Sequence, residues 1–185
     1  MVFVDRYIQL RENLRTLILD EQPDRVGIEY PIFNDLWSEG MYGLFLYSCE
    51  ALRLTQKDVV FFTPMQVKAH AKHCMDRPKG WKMSKGDMVQ AAKKETGTKG
   101  YWNHNEADAY WVARTAGRFW MLFEGQISEE DLTPPEAAQF LKIHRYQRGR
   151  KAGKEEKRGI MFREDDRFFL WSIGEEDAEE KERTD

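Results

Sequence analysis

The sequence predicts an α/β layer fold, on three observations. Stretches with helical spacing of apolar residues alternate with short apolar runs of strand length. Prolines, glycines and capping residues stand at the boundaries between them. The chain has 185 residues, 41% of them hydrophobic and 13% aromatic, which is enough for one domain with a real core.

Each element follows in chain order. VDRYIQLRENLRTLILDE places Tyr7, Ile8, Leu10, Leu14, Leu17 and Ile18 at helical spacing, with Asp5 as the expected N-cap. PDRVGIEYPIF reads as a turn and a short buried strand that Pro31 limits. Residues 38–54 form an apolar helix whose glycines permit close packing, and DVVFFT is a second strand, closed by Pro64. PMQVKAHAKHC is a helix opening on its proline. MSKGDMVQAAKKETG is a helix between a Ser84 cap and a Gly97 stop. NEADAYWVARTAGRFWML is the last long helix of the core. Strands alternating with helices imply parallel neighbours in the sheet. The core is thus expected over residues 1–124. Residues 125–174 are expected as an appendage: a helix with a Pro-Pro start, a charged glycine-containing loop, and two short strands turning at Glu164 to Arg167.

Residues 175–185 hold seven acids and two bases. The formal charge of −3 therefore divides into −5 on this tail, expected to be disordered, and about +2 on residues 1–174. The loop 145–158 carries seven bases against two acids, and reads either as a solvated linker or as a phosphate-tracking arm. No run of apolar residues is long enough for a transmembrane helix, so no membrane partner is expected. Two cysteines, Cys49 and Cys74, behind a charged N-terminus suit a reducing, cytoplasmic compartment. His70, His73 and Cys74 invite a zinc reading, but no fourth ligand stands at a suitable spacing.

The segment WNHNEADAYWVA concentrates polar chemistry at the mouth of an apolar helix, and DRVGIEYPIF ends a strand on Glu29. In a parallel sheet, strand ends and helix N-termini meet at one edge, where sites form. An acid there costs desolvation energy unless a cation neutralises it, and carboxylates are natural ligands for Mg²⁺. Glu29 as the partner of an arginine, and Asp108 as a helix-dipole acid, are the plain structural alternatives. Of the six tryptophans, Trp81 and Trp102 are the better candidates for stacking on unpaired bases.

Four motifs in order carry a resemblance. PDRVGIE, TPMQVKAHA with Lys68, MSKGDMVQAAKK with Lys85, and NEADA together resemble the RuvC family of Holliday junction resolvases, in the RNase H-like superfamily. The likeness covers residues 23–113, about half the chain. It implies an RNase H-like layered sheet with helices. It implies a Mg²⁺-dependent endonuclease that resolves four-way junctions or other branched DNA as a homodimer, in a bacterial cell or phage-infected host. Glu29, Asp108 and Asn105 are its implied catalytic residues, and His104 stands beside Asn105 as the alternative metal ligand. Two Mg²⁺ ions are implied, with Mn²⁺ able to substitute. Lys68, Lys85, Lys82 and Phe33 are the implied DNA contacts, and the apolar helix 38–54 a dimer face.

The family's first catalytic aspartate, on an early strand in a D-x-G context, has no counterpart here. About the first three strands of the family pattern are expected to be missing, with Asp5 a cap and not a replacement ligand. Two rivals follow: a non-catalytic protein of the same fold that binds branched DNA, and an RNase H-like nuclease acting on flaps or RNA–DNA hybrids.

Overall fold

A computed structural model describes residues 2–30, 39–78, 80–141, 143–145, 155–157, 160–164 and 167–171. The fold is mixed α/β and mostly helical. In order, the elements are α1 (Val2–Glu21), β1 (Arg25–Glu29), α2 (Glu39–Leu54), β2 (Asp58–Phe62), α3 (Pro64–Cys74), α4 (Lys85–Thr96) and α5 (His104–Phe123). A 3₁₀ turn at Glu129–Asp131 leads to α6 (Pro134–Phe140), β3 (Ile143–Arg145), β4 (Glu155–Lys157), β5 (Ile160–Glu164) and β6 (Arg167–Trp171).

Strands β1 and β2 are parallel and in register, Arg25 opposite Asp58 and Glu29 opposite Phe62. The Tyr30 N–H donates to the Phe62 carbonyl at 2.6 Å and carries the pairing one residue further. The sheet order is β1-β2-β5-β6, with β5 and β6 antiparallel. The position of β2 between β1 and β5 explains its burial: Val59 to Phe62 are all buried, whereas Arg25 to Ile28 of β1 are half-buried. One side of the sheet packs on α1 and α2 through Ile18, Leu52, Val59 and Phe61. Gly43 lets those helices close up, since a Cβ there would lie 3.2 Å from the Tyr7 ring. The larger core gathers Phe62, Val67, Met88, Trp111, Phe119 and Phe140 from β2, α3, α4, α5 and α6.

Several expectations are corrected. Helix α1 already begins at Val2, so Asp5 lies inside its first turn and does not cap it; an acid there favours the helix dipole. The segment expected as one capped helix after residue 127 is a 3₁₀ turn and a seven-residue helix, because Pro134 and Pro135 restart the chain. Part of the expected charged loop is strand: Glu155–Lys157 pairs antiparallel with Ile143–Arg145. The hairpin turning at Glu164 to Arg167 forms as expected. Yet it pairs with β2 through β5, so it extends the core sheet and does not stand apart from it. The remainder of the basic loop, the acidic tail and Phe33 lie outside the described residues. No helix among the described residues is long and apolar enough to cross a membrane.

Candidate functional site

The polar cluster at the start of α5 has two jobs. Asn103 is the true N-cap: its side chain accepts from the Glu106 N–H at 2.9 Å, and the Glu106 carboxylate accepts from the Asn103 N–H at 2.8 Å. This reciprocal capping box fixes where the helix starts. The signal was an asparagine three residues before a glutamate. Glu106 is thereby spent on the backbone, while Asp108 lies two residues further along and is half-buried.

Helix α5 runs against β1. At one end Arg25 lies with its guanidinium 4.3 Å from the Trp120 ring and pairs with Glu124. In the middle, a Cβ on Gly27 would lie only 2.7 Å from Ala116 Cβ, so the absence of a side chain lets strand and helix touch. At the other end a cavity of about 320 Å³ is lined by Gly27, Glu29, Asp108, Ala109, Val112 and Ala113. The sheet edge and the helix therefore bring Glu29 and Asp108 to one opening, with walls of small apolar residues between them.

The electrostatics at Glu29 are only partly compensated. Desolvation against the apolar wall raises the Glu29 carboxyl above its ordinary value, and the Asp108 charge raises it further. The Lys68 ammonium acts in the opposite direction. Lys68 is exposed in the second turn of α3, whose start is fixed by the Thr63–Gln66 capping box directly after β2. Two carboxylates and one lysine thus share the carboxyl edge of the parallel pair.

The other sequence-derived candidates are not gathered here. His104 and Asn105 are exposed in the first turn of α5 and do not line the cavity. Lys85 is the first residue of α4, and Lys82 lies in the turn before it; both are exposed. Trp102 is half-buried against the core, edge-to-face with Tyr110 at 5.4 Å. Among the described residues no three His, Cys, Asp or Glu side chains converge to hold a metal ion. His70, His73 and Cys74 instead line a separate cavity of about 380 Å³ with Asp76, Lys94, Glu95, Trp111, Arg114 and Thr133. The charged groups there are already paired, Lys94 with Asp76 at 3.1 Å and Arg114 with Glu95 at 3.1 Å.

The strongest buried charge went unnoticed in the sequence. Glu136, with no exposed side-chain surface, accepts from Arg114 at 2.7 Å, from Arg118 at 3.0 and 3.1 Å, and from the Thr133 N–H at 2.8 Å. These bonds overcome its desolvation and hold its carboxyl down to about 2. The visible signal was a Thr-x-x-Glu capping pattern; its clasp to α5 needed the tertiary fold. No protein-family model matches the chain, and no curated protein matches it.

Proposed function

We propose that the chain is a divalent-cation-dependent nuclease domain of RNase H-like, RuvC type that acts on branched DNA. The observation that carries this reading is the placement of Glu29 and Asp108 on one open cavity at the carboxyl edge of a parallel strand pair. A raised Glu29 carboxyl beside a second acid is the electrostatic state that a hard cation relieves. The donor set fits one Mg²⁺ or Mn²⁺ ion, with water completing its shell. A second ion calls for more oxygen ligands than the described residues bring there. When bound, the ion supplies Lewis-acid activation of a phosphodiester and of an attacking water.

The residues of the chain do the rest. Glu29 and Asp108 hold the cation, and the small side chains of Gly27, Ala109 and Ala113 leave room for a phosphate to approach. Lys68 places positive charge beside that opening, and Lys82 and Lys85 offer further phosphate contacts from the α3–α4 side. Tyr42, Leu46 and Leu54 are exposed on α2, the helix on which a second copy is proposed to dock. A two-fold pair matches the symmetry of a four-way junction.

The test is Mg²⁺- and Mn²⁺-dependent cleavage of a labelled four-way junction, with linear duplex as control. Cleavage of the junction that Glu29→Gln and Asp108→Asn both abolish supports the nuclease. Tight junction binding without cleavage at any cation concentration favours a second reading, a branched-DNA-binding protein. The carboxylate pair lacks a third partner among the described residues, and that observation supports this alternative. Equal affinity for junction and linear duplex would overturn both.

A further inference from the structure

The turn between α3 and α4 displays a tryptophan in a field of positive charge. The Trp81 N–H donates to the Pro78 carbonyl at 3.0 Å, closing a tight turn whose Gly80 has φ +96°. That backbone conformation suits glycine and few other residues. Lys72 Nζ donates to the Trp81 carbonyl at 3.1 Å and ties the turn to the last part of α3. The Arg77 guanidinium lies 4.8 Å from the Trp81 ring centroid. The indole acts on the nearby Asp87 carboxylate and helps lower that carboxyl, which the Ser84 cap holds in place. The backbone of Trp81 is therefore held at both its N–H and its carbonyl, and Arg77 braces the ring, yet 45% of the residue is open to solvent. Among the tryptophans whose side chains are described, Trp81 alone is exposed. Residues 72–87 carry five bases against two acids, a net of +3.

A large ring braced by an arginine yet almost half open to solvent is arranged to receive something flat. The surrounding charge selects a polyanion. We propose that this turn is a stacking platform for an unpaired base of single-stranded nucleic acid, with Trp81 taking the base and Arg77, Lys82 and Lys85 the flanking phosphates. Base–aromatic stacking is tolerant of sequence, because every base has a π-face. An added base extends the stack that Arg77 and Trp81 already form. A membrane surface fits less well, since Met83, the apolar residue two positions on, packs inward against the core. The platform needs neither the cation nor the carboxylate pair, so it stands apart from the nuclease reading.

The experiment compares a labelled oligothymidylate with an abasic strand of equal length and charge, by fluorescence polarisation in EDTA, where no cleavage occurs. The wild type should prefer the strand that carries bases. Trp81→Ala should weaken oligothymidylate binding by roughly 5- to 100-fold and erase that preference, whereas Trp81→Phe should keep most of it. Lys82→Ala should keep the preference and reduce the slope of log affinity against log salt by about 0.7. Unchanged affinity in Trp81→Ala, with a thermal unfolding curve matching the wild type, overturns the proposal. So does equal binding to both strands, or a Trp81 dependence seen only with anionic phosphatidylserine vesicles.

Discussion

Glu29 is a residue whose folded environment works against its charge. Desolvation and the Asp108 carboxylate both raise its carboxyl, so the folded state binds a proton there more tightly than the unfolded chain does. The cost is fully present above the raised folded value. It fades as pH falls below it. Glu29→Gln should therefore raise the melting temperature at neutral pH without divalent cations. With solvent at the rim the gain is under about 1 kcal/mol, or roughly 2–4 °C at most. The gap should close as pH falls toward the ordinary carboxyl range. Mg²⁺ should stabilise the wild type and not the variant; equal stabilisation of both, followed by differential scanning fluorimetry with a Mg²⁺ titration, would remove Glu29 from the cation site. Glu29 and Asp108 were legible because strand-end and helix-start positions converge by topology. His104 and Asn105 were harder, because helical spacing of three or four places them on the side of Asp108 without saying which reach the cavity.

Element packing is decided at contacts that local patterns announce only in part. The start of α3 at Pro64 and both caps of α4 could be read directly, since Pro64, Ser84 and Gly97 stand beside clear apolar periods, whereas Thr63, read as strand, is the cap of α3. The β1–α5 contact was hidden, because Gly27 looks like an ordinary strand residue until Ala116 is placed 2.7 Å from its absent Cβ. Gly27→Ala should cost about 1–3 kcal/mol by overpacking. Ala116→Gly on the same chain should recover part of that, making the pair less than additive in urea denaturation; strict additivity would mean that the two positions do not touch. The α5–α6 clasp is a second such contact. Glu136 has a depressed carboxyl, so its stabilisation is present above the unfolded value of 4.5 and is lost as pH falls toward about 2. Burial likewise depresses His70 from 6.5, so its contribution to acid lability begins below that pH. Stability against urea should thus fall in two stages on acidification. Glu136→Gln should cost about 3 kcal/mol at pH 7 by leaving Arg114 and Arg118 facing a neutral amide, and should flatten the lower stage. A variant that keeps the full lower stage would assign it to other carboxylates.

Over the whole molecule, long-range pairing and charge partition matter most. The alternation of strands and helices made the parallel β1–β2 pair legible. The hairpin of β5 and β6 was legible as a hairpin but not as part of the core sheet. It joins β2 from about a hundred residues away, and a short apolar strand does not name its partner. Charge partition is readable in the sequence alone. Seven acids and two bases in residues 175–185 lower a remainder of about +2 to the formal −3 of the whole chain. On the proposed function, this acidic stretch of the same chain competes with nucleic acid for the same lysines. Removing residues 175–185 should therefore strengthen junction binding at low salt and speed association. The benefit should shrink as salt rises, because the Debye length falls from about 10 Å at 0.1 M to about 3 Å at 1 M. Electrophoretic mobility shifts across a salt series, on the full chain and the shortened one, measure this directly. Curves that converge at high salt and separate at low salt are the expected result. Curves that coincide throughout would show that the acids do not reach the binding surface. A constant offset at every salt would point to loss of a non-ionic contact instead.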